Sequence, residues 1–148
     1  MSGPVDLSLV VPLYNERDNL PLLIEEIGGA LGRIGSDYEI VAVDDGSTDG
    51  SLDALKELRR DHPELHIVAL AARAGQSAAF AAGFRAACGR TIVTLDADLQ
   101  NDPADIPRLL ARLDQWDAVC GWRGRTERPG IRSSAVSPRA WATAFGTG

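Results

Sequence analysis

Lysine is nearly absent from this chain. Lys56 stands alone against 14 arginines in 148 residues, and with 21 Asp plus Glu the formal net charge is −6. That balance excludes a general nucleic-acid coat and a polybasic membrane patch, while leaving room for a local basic site and for acidic residues on a metal. Cysteine is scarce as well. Cys88 and Cys120 are far apart and have no partner ligands at zinc-like spacing, so neither a disulfide scaffold nor a zinc finger fits, and both are expected as buried reduced thiols. No apolar run reaches the roughly 18 residues that a membrane-spanning helix needs. The N-terminus lacks a basic segment, an apolar signal core and a cleavage site, since residues 7–13 form a short apolar run broken by Pro12. The expected location is therefore cytoplasmic, with no membrane span. Leucine is missing from one place only: 17 copies fall within residues 1–123 and none within 124–148.

What remains is the composition of one ordinary globular domain, 45% hydrophobic and 24% charged, long enough to build a core. Short runs rich in Val, Ile and Leu recur at residues 7–13, 39–43, 66–70, 91–95 and 118–121, each of strand length. Helical patterns lie between the first four, at about 18–34, 51–61 and 77–87, and another follows at 103–113. This alternation predicts an α/β fold, a Rossmann-like and mostly parallel sheet flanked by helices. Expected helix starts are Asp18 as a cap, Ser51 after the turn GSTDG, Ser77 before an Ala-rich run, and Asp102-Pro103 with proline in the first turn. The Ala spacing from Ala78 to Ala87 reads as close helix-to-sheet packing.

In an open parallel sheet the ligand site lies beyond the carboxyl ends of the strands. The chemistry-bearing residues cluster there, as Pro12 to Glu16, Asp44 to Ser47, Ala74 to Gln76 and Asp96 to Asp98, so four loops are expected to converge on one edge. Asp96 and Asp98 flank the small Ala97 directly after TIVTL, and hard oxygen ligands so placed suit Mg²⁺ or Mn²⁺. A lone D-x-D also suits turn capping; the position after a buried strand favours the metal. Two adjacent acids, Asp44 and Asp45, are costly at a strand end unless they meet donors or cations, and a carboxylate there can accept from a base N–H or a ribose hydroxyl. Asp49 fits an Asx turn at the next helix start. Tyr14 can stack on a base while Glu16 accepts from ribose, with packing as the alternative for Tyr14. Gly75 permits close backbone approach before a helix whose N-terminus favours phosphate. His62 and His66 read as solvated loop residues without a ligand or catalytic role.

Taken together, LSLVVPLYNERDNL, VDDGSTDGS, AGQSAAFAAGFRAA and LDADLQNDPADIP, in this order, resemble the inverting family 2 glycosyltransferases with a GT-A fold. The likeness is to the branch that glycosylates dolichyl or polyprenyl phosphate, and it covers about residues 7–123. It implies metal-dependent transfer of a sugar from a UDP- or GDP-sugar to a polyprenyl-phosphate acceptor, with no nucleic acid involved. Pro12, Tyr14, Glu16, Val43 and Asp45 would hold the nucleoside, with Gly75, Asp96 and Ala97 completing the cofactor-binding set. Asp96, Asp98 and Gln100 would organise Mg²⁺ or Mn²⁺ around the diphosphate. Catalytic roles fall to Asp98 and to Arg123, which would approach the diphosphate or acceptor phosphate. One departure is Arg73, where the family usually has Asn; if that side chain supports the loop, nucleotide affinity is altered. A nucleotidyltransferase fits less well, because VPLYNERDN lacks a Gly-rich basic triphosphate loop.

The resemblance implies an N-terminal nucleotide-binding half, residues 1–123. Relatives continue with acceptor-side elements, interfacial helices and often membrane spans at the cytoplasmic face. Residues 124–148 show neither helix periodicity nor an aliphatic strand pattern and are expected to be irregular. The wealth of Ala and Arg beside one Lys suggests GC-rich coding. With permitted codons, reading Gly130 to Gly148 from the third base of the Gly130 codon yields HPFVRRLSSRVGNGVRNR, which resembles the family's RRLSSRxxNxxRN segment at that point. The segment is accordingly expected to be out of frame; a noncatalytic, donor-binding fragment is the alternative to an active enzyme.

Overall fold

A computed structural model describes residues 5–121 and, as backbone, 134–136. The chain runs β1 (Leu7–Leu13), α1 (Leu20–Gly32), β2 (Tyr38–Asp44), α2 (Ser51–Leu58), β3 (Leu65–Ala69), α3 (Gln76–Ala86), β4 (Thr91–Thr94), a 3₁₀ turn (Pro103–Asp105), α4 (Ile106–Leu110), β5 (Ala118–Cys120) and β6 (Ser134–Val136). The sheet has the order β3-β2-β1-β4-β6-β5. The first four strands are mutually parallel, and β6 is antiparallel to both β4 and β5.

The strands lack polar alternation because both faces are covered. Leu7, Leu9, Val11, Leu13, Ile40 and Ala42 point to one side, where they meet Leu20, Leu23, Ile24, Ile27 and Leu31 of α1 together with Ile106. Val10, Val41 and Val43 point to the other, under Ala79 of α3. On that second side the helix comes very close: a Cβ at Gly83 would press into Val10 Cγ1 and stand 3.0 Å from Val43 Cγ2. The Ala-rich helix is therefore packing, as expected. Gly83→Ala should cost about 1–3 kcal/mol by overpacking, checked by denaturant unfolding.

Several local expectations need correction. Helix α1 starts at Leu20 with Asn19 rather than Asp18 at its cap position, and no side chain caps it. Helix α3 starts at Gln76, one residue before Ser77, directly after Gly75. The pattern at 103–113 divides because Pro107 has no N–H; the first turn closes instead through Ile106 N–H to Pro103 O, and Asp102 caps it as expected by accepting from Ala104 N–H. His66 lies within β3, not in a loop. Both cysteines are unpaired, but both are exposed: Cys88 sits in the loop after α3 and Cys120 on the outermost strand, neither under a covering layer. The expected irregular tail also contains a strand, since Ser134–Val136 fill the gap between β4 and β5.

Candidate functional site

The parallel strands β1 to β4 deliver their following loops to one sheet edge, where a cleft of about 390 Å³ opens. Pro12, Tyr14, Glu16, Asp45, Gly75, Asp96, Ala97 and Asp98 all line it, joined by Arg73 and Gln76. A wider cavity of about 590 Å³ lies away from these strand ends, between α4 and β5.

The two-residue period of β2 separates its adjacent acids. Asp44 turns toward the α1 side, where it is buried; its Oδ2 accepts from Ser47 N–H at 3.3 Å, and its Oδ1 meets no donor among the described residues. Asp45 turns toward the α3 side and clamps the loop after β3, accepting from Ala74 N–H at 2.7 Å and Gly75 N–H at 2.9 Å. Gly46, at φ +71°, lets the backbone of Ala72 and Arg73 lie directly against it. Asp45 therefore positions a loop with both oxygens, a role the sequence pattern did not announce.

A second set of bonds ties the loop after β1 to the loop after β2. Asn15, at φ +54°, donates its N–H to Ser47 Oγ at 2.9 Å and accepts from Thr48 N–H at 2.8 Å. Glu16 N–H donates to Ser51 Oγ and Arg17 N–H to Asp49 Oδ2. Asp49 Oδ1 accepts from Ser51 N–H at 2.9 Å and from the Ser51 hydroxyl at 2.5 Å, which is the turn expected for it. The Ser51 hydroxyl foremost, with the Arg17 and Ser51 N–H groups, holds the Asp49 carboxyl below its ordinary value of 3.8, against an opposing effect of burial. A carboxyl depressed by folding stabilises above its unfolded pKa, and that contribution is lost as pH falls through the lower folded value. Asp49→Ala should thus lower the thermal midpoint at pH 7 by roughly a few degrees, and the gap between wild type and variant should begin to narrow near pH 3.8 and close only as the pH falls further, through the lower folded value.

The loop after β4 presents the acidic pair. Ala97 is buried between the half-buried Asp96 and the exposed Asp98. Gln76 Nε2 donates to Asp96 Oδ1 at 3.2 Å, and Gln100 N–H donates to Asp98 Oδ1 at 3.1 Å. The remaining oxygen of each has no donor among the described residues. No group of three or more His, Cys, Asp or Glu set to hold a metal occurs among those residues. Two carboxylates whose second oxygens meet no donor among the described residues fit a Mg²⁺- or Mn²⁺-type ion, which is commonly held by one or two carboxylates while waters and phosphates complete its shell. Leu99, at φ +59°, turns the chain immediately after Asp98; a bulky residue in that conformation marks strain beside the pair.

Val43 and Gln100, both expected at the site, do not line the cleft. Val43 is fully buried under α3, so its side chain belongs to the core and not to a nucleoside pocket. Gln100 does not line the cleft but orients Asp98 through its backbone. Arg123 lies outside the described residues. Conversely, the strained Leu99 and the Gln76 contact to Asp96 went unforeseen. Asn15 was open to prediction, because Asn tolerates left-handed backbone in turns; a leucine there has no local signal.

The parallel sheet flanked by helices matches solved structures with the GT-A glycosyltransferase fold. A mannosyltransferase from Pyrobaculum calidifontis in complex with GDP-Man and Mn²⁺ matches with a TM-score of 0.78 at 20% identity, over 99% of this chain and 48% of that one. Glucosyl-3-phosphoglycerate synthase from Mycobacterium tuberculosis, in complex with Mn²⁺, UDP and glucosyl-3-phosphoglycerate, matches with a TM-score of 0.67 at 19% identity, over 90% of this chain and 57% of that one. The chain belongs to glycosyl transferase family 2, whose model matches residues 8–141 and so extends past Arg123.

Among its curated relatives is the undecaprenyl-phosphate 4-deoxy-4-formamido-L-arabinose transferase of Pectobacterium atrosepticum, 48% identical over 118 residues. That match takes in 78% of this chain and 36% of the relative. The dodecaprenyl-phosphate galacturonate synthase of Rhizobium johnstonii is 43% identical over 122 residues, covering 80% and 36% respectively. The chain thus spans little more than a third of the length of these relatives. No helix among the described residues is long and apolar enough to cross a membrane.

Proposed function

We propose that this chain forms the donor-binding part of an inverting, metal-dependent glycosyltransferase that moves a sugar from a UDP- or GDP-sugar to a polyprenyl phosphate at the cytoplasmic face of a membrane. The observation that carries the reading is that Tyr14 and Glu16, after β1, line the same cleft as Asp96 and Asp98, after the neighbouring β4. Polyprenyl-phosphate sugar transferases among the relatives and nucleotide-bound GT-A structures support it.

In this reading Tyr14 and Glu16 hold the nucleoside while the Asp45 clamp fixes Ala74 and Gly75 at the start of α3, whose N-terminus suits a phosphate. Asp96 and Asp98 would hold the divalent ion, with Gln76 and the Gln100 N–H orienting their carboxylates. When bound, that ion stabilises the charge developing on the departing nucleoside diphosphate. Arg123 would approach the diphosphate or the acceptor phosphate. A phosphate acceptor is already ionised at neutral pH, so the aspartates need not act as a general base.

Calorimetric titration with UDP- and GDP-sugars, with and without Mn²⁺, followed by a lipid-phosphate transfer assay, tests the proposal. Mn²⁺-dependent binding with transfer supports the enzyme. Binding without transfer supports a donor-binding segment. No binding in Mn²⁺ sinks both. The out-of-frame reading of residues 124–148 is a proposal of the same kind; an intact genomic frame encoding this segment, with no family-like frame downstream, would refute it.

A further inference from the structure

Asn19 stands at the N-terminal cap position of α1, where an asparagine ordinarily accepts from the free N–H groups of the first turn. Here its side chain makes no such bond. A capping residue is usually extended, whereas Asn19 already has helical backbone angles, φ −85° and ψ −23°. Its amide Nδ2 donates instead to Glu16 Oε2 at 2.7 Å. Only that nitrogen can serve, because an ionised carboxylate accepts and never donates.

This bond adds to a backbone that is already held. The Glu16 N–H donates to Ser51 Oγ at 3.0 Å, and the Glu16 carbonyl accepts from Asn19 N–H, also at 3.0 Å. With the carboxylate held as well, its second oxygen, Oε1, meets no donor among the described residues. Glu16 lines the cleft and Asn19 does not, so the hold comes from outside it. A free glutamate loses rotamer freedom when it takes up a ligand, whereas one already fixed has little left to lose. The helix end goes without a side-chain cap, and the carboxylate gains a set orientation.

We propose that Asn19 is a positioning residue of the donor cleft, fixing the Glu16 carboxylate so that Oε1 accepts from a ribose hydroxyl of the nucleotide. The inference rests on the donor-binding reading above, which gives Glu16 to the nucleoside, and adds the group that orients it. Asn19 acts through Glu16 and touches no ligand itself. Its effect should therefore appear only with ligands that carry ribose hydroxyls, and only while Glu16 is present.

Calorimetry in Mn²⁺ with UDP, a UDP analogue without the two ribose hydroxyls, and inorganic pyrophosphate tests this on wild type, Asn19→Ala, Asn19→Asp, Glu16→Ala and the variant combining Glu16→Ala with Asn19→Ala. Asn19→Ala should lose about five- to tenfold for UDP, while the analogue and pyrophosphate hold within about twofold. Asn19→Asp, nearly the same size, sets a second carboxylate beside Glu16 and should lose at least about tenfold for UDP. On the Glu16→Ala background, Asn19→Ala should change nothing further. No cap bond is lost in Asn19→Ala, so its thermal midpoint should stay near that of wild type. Asn19→Asp, an acid that suits a helix N-terminus, carries the test if Asn19→Ala does not fold. Unchanged UDP affinity in the Asn19 variants overturns the proposal. So does an equal loss for all three ligands, or a full Asn19→Ala effect without Glu16. If Glu16→Ala binds UDP as wild type does, or wild type binds no nucleotide, the donor-binding reading of Glu16 falls first and the proposal with it.

Discussion

Asp98→Ala is expected to abolish the Mn²⁺ dependence of nucleoside-diphosphate binding. Loss of an outer partner of a metal ligand already costs about 10- to 100-fold in metal affinity, so loss of the ligand itself should cost at least about 100-fold. The gain in UDP affinity on adding Mn²⁺, read by calorimetry, should vanish in the variant, while the weaker metal-free affinity stays as it was. Asp96→Ala should behave similarly, with an added effect because it releases Gln76. Asp102→Ala is the control. It removes a carboxylate four residues further on that caps Ala104 N–H, and should leave the Mn²⁺ effect intact. A full Mn²⁺ effect in Asp98→Ala would take Asp98 out of the metal site. A lost effect in all three variants would point to a generally damaged loop.

The legible part of this fold is the part governed by burial on both faces. The runs at β1 and β2 are almost continuously apolar because helices cover each side, and the positions of the first four strands fix where their loops must emerge. That is why most of the cleft was open to reading from residues alone. The failures have the opposite character. Val43 matched a family position, yet its place in the strand sends its side chain under α3. The three-residue β6 is too short to show a period, and its pairing depends on the exposed edges of β4 and β5. Asp45 accepts from residues 29 and 30 positions away, a contact that no local pattern contains. Leu99 adopts a backbone conformation that its residue type opposes, so local propensity points away from the answer. The cysteines follow the same logic: their type favours burial, but the fold leaves both outside its covered layers.

Gly46→Ala should be the most damaging single-methyl change near the cleft, and Gly35→Ala separates its two causes. Both glycines have nearly the same positive φ, +71° and +72°. A side chain at either pays the left-handed penalty, about 1–2 kcal/mol. At Gly35 nothing lies within 4 Å of an added Cβ, so that penalty is the whole effect. At Gly46 the added carbon would stand 2.6 Å from Arg73 N and 2.8 Å from Ala72 C. These are backbone atoms held by the Asp45 clamp, so relief requires displacing the whole 72–75 segment. The expected total for Gly46→Ala is about 2–4 kcal/mol, a fall of about 10 °C in thermal midpoint, against a few degrees for Gly35→Ala. Nucleotide affinity should part in the same way. Displacing Arg73 and Gly75 should weaken UDP binding by at least about tenfold, while Gly35→Ala, in the loop before β2, should bind as wild type. Equal melting and equal affinity in the two variants would mean that the turn conformation alone matters, and that the contact between the β2 and β3 loops does not shape the cleft.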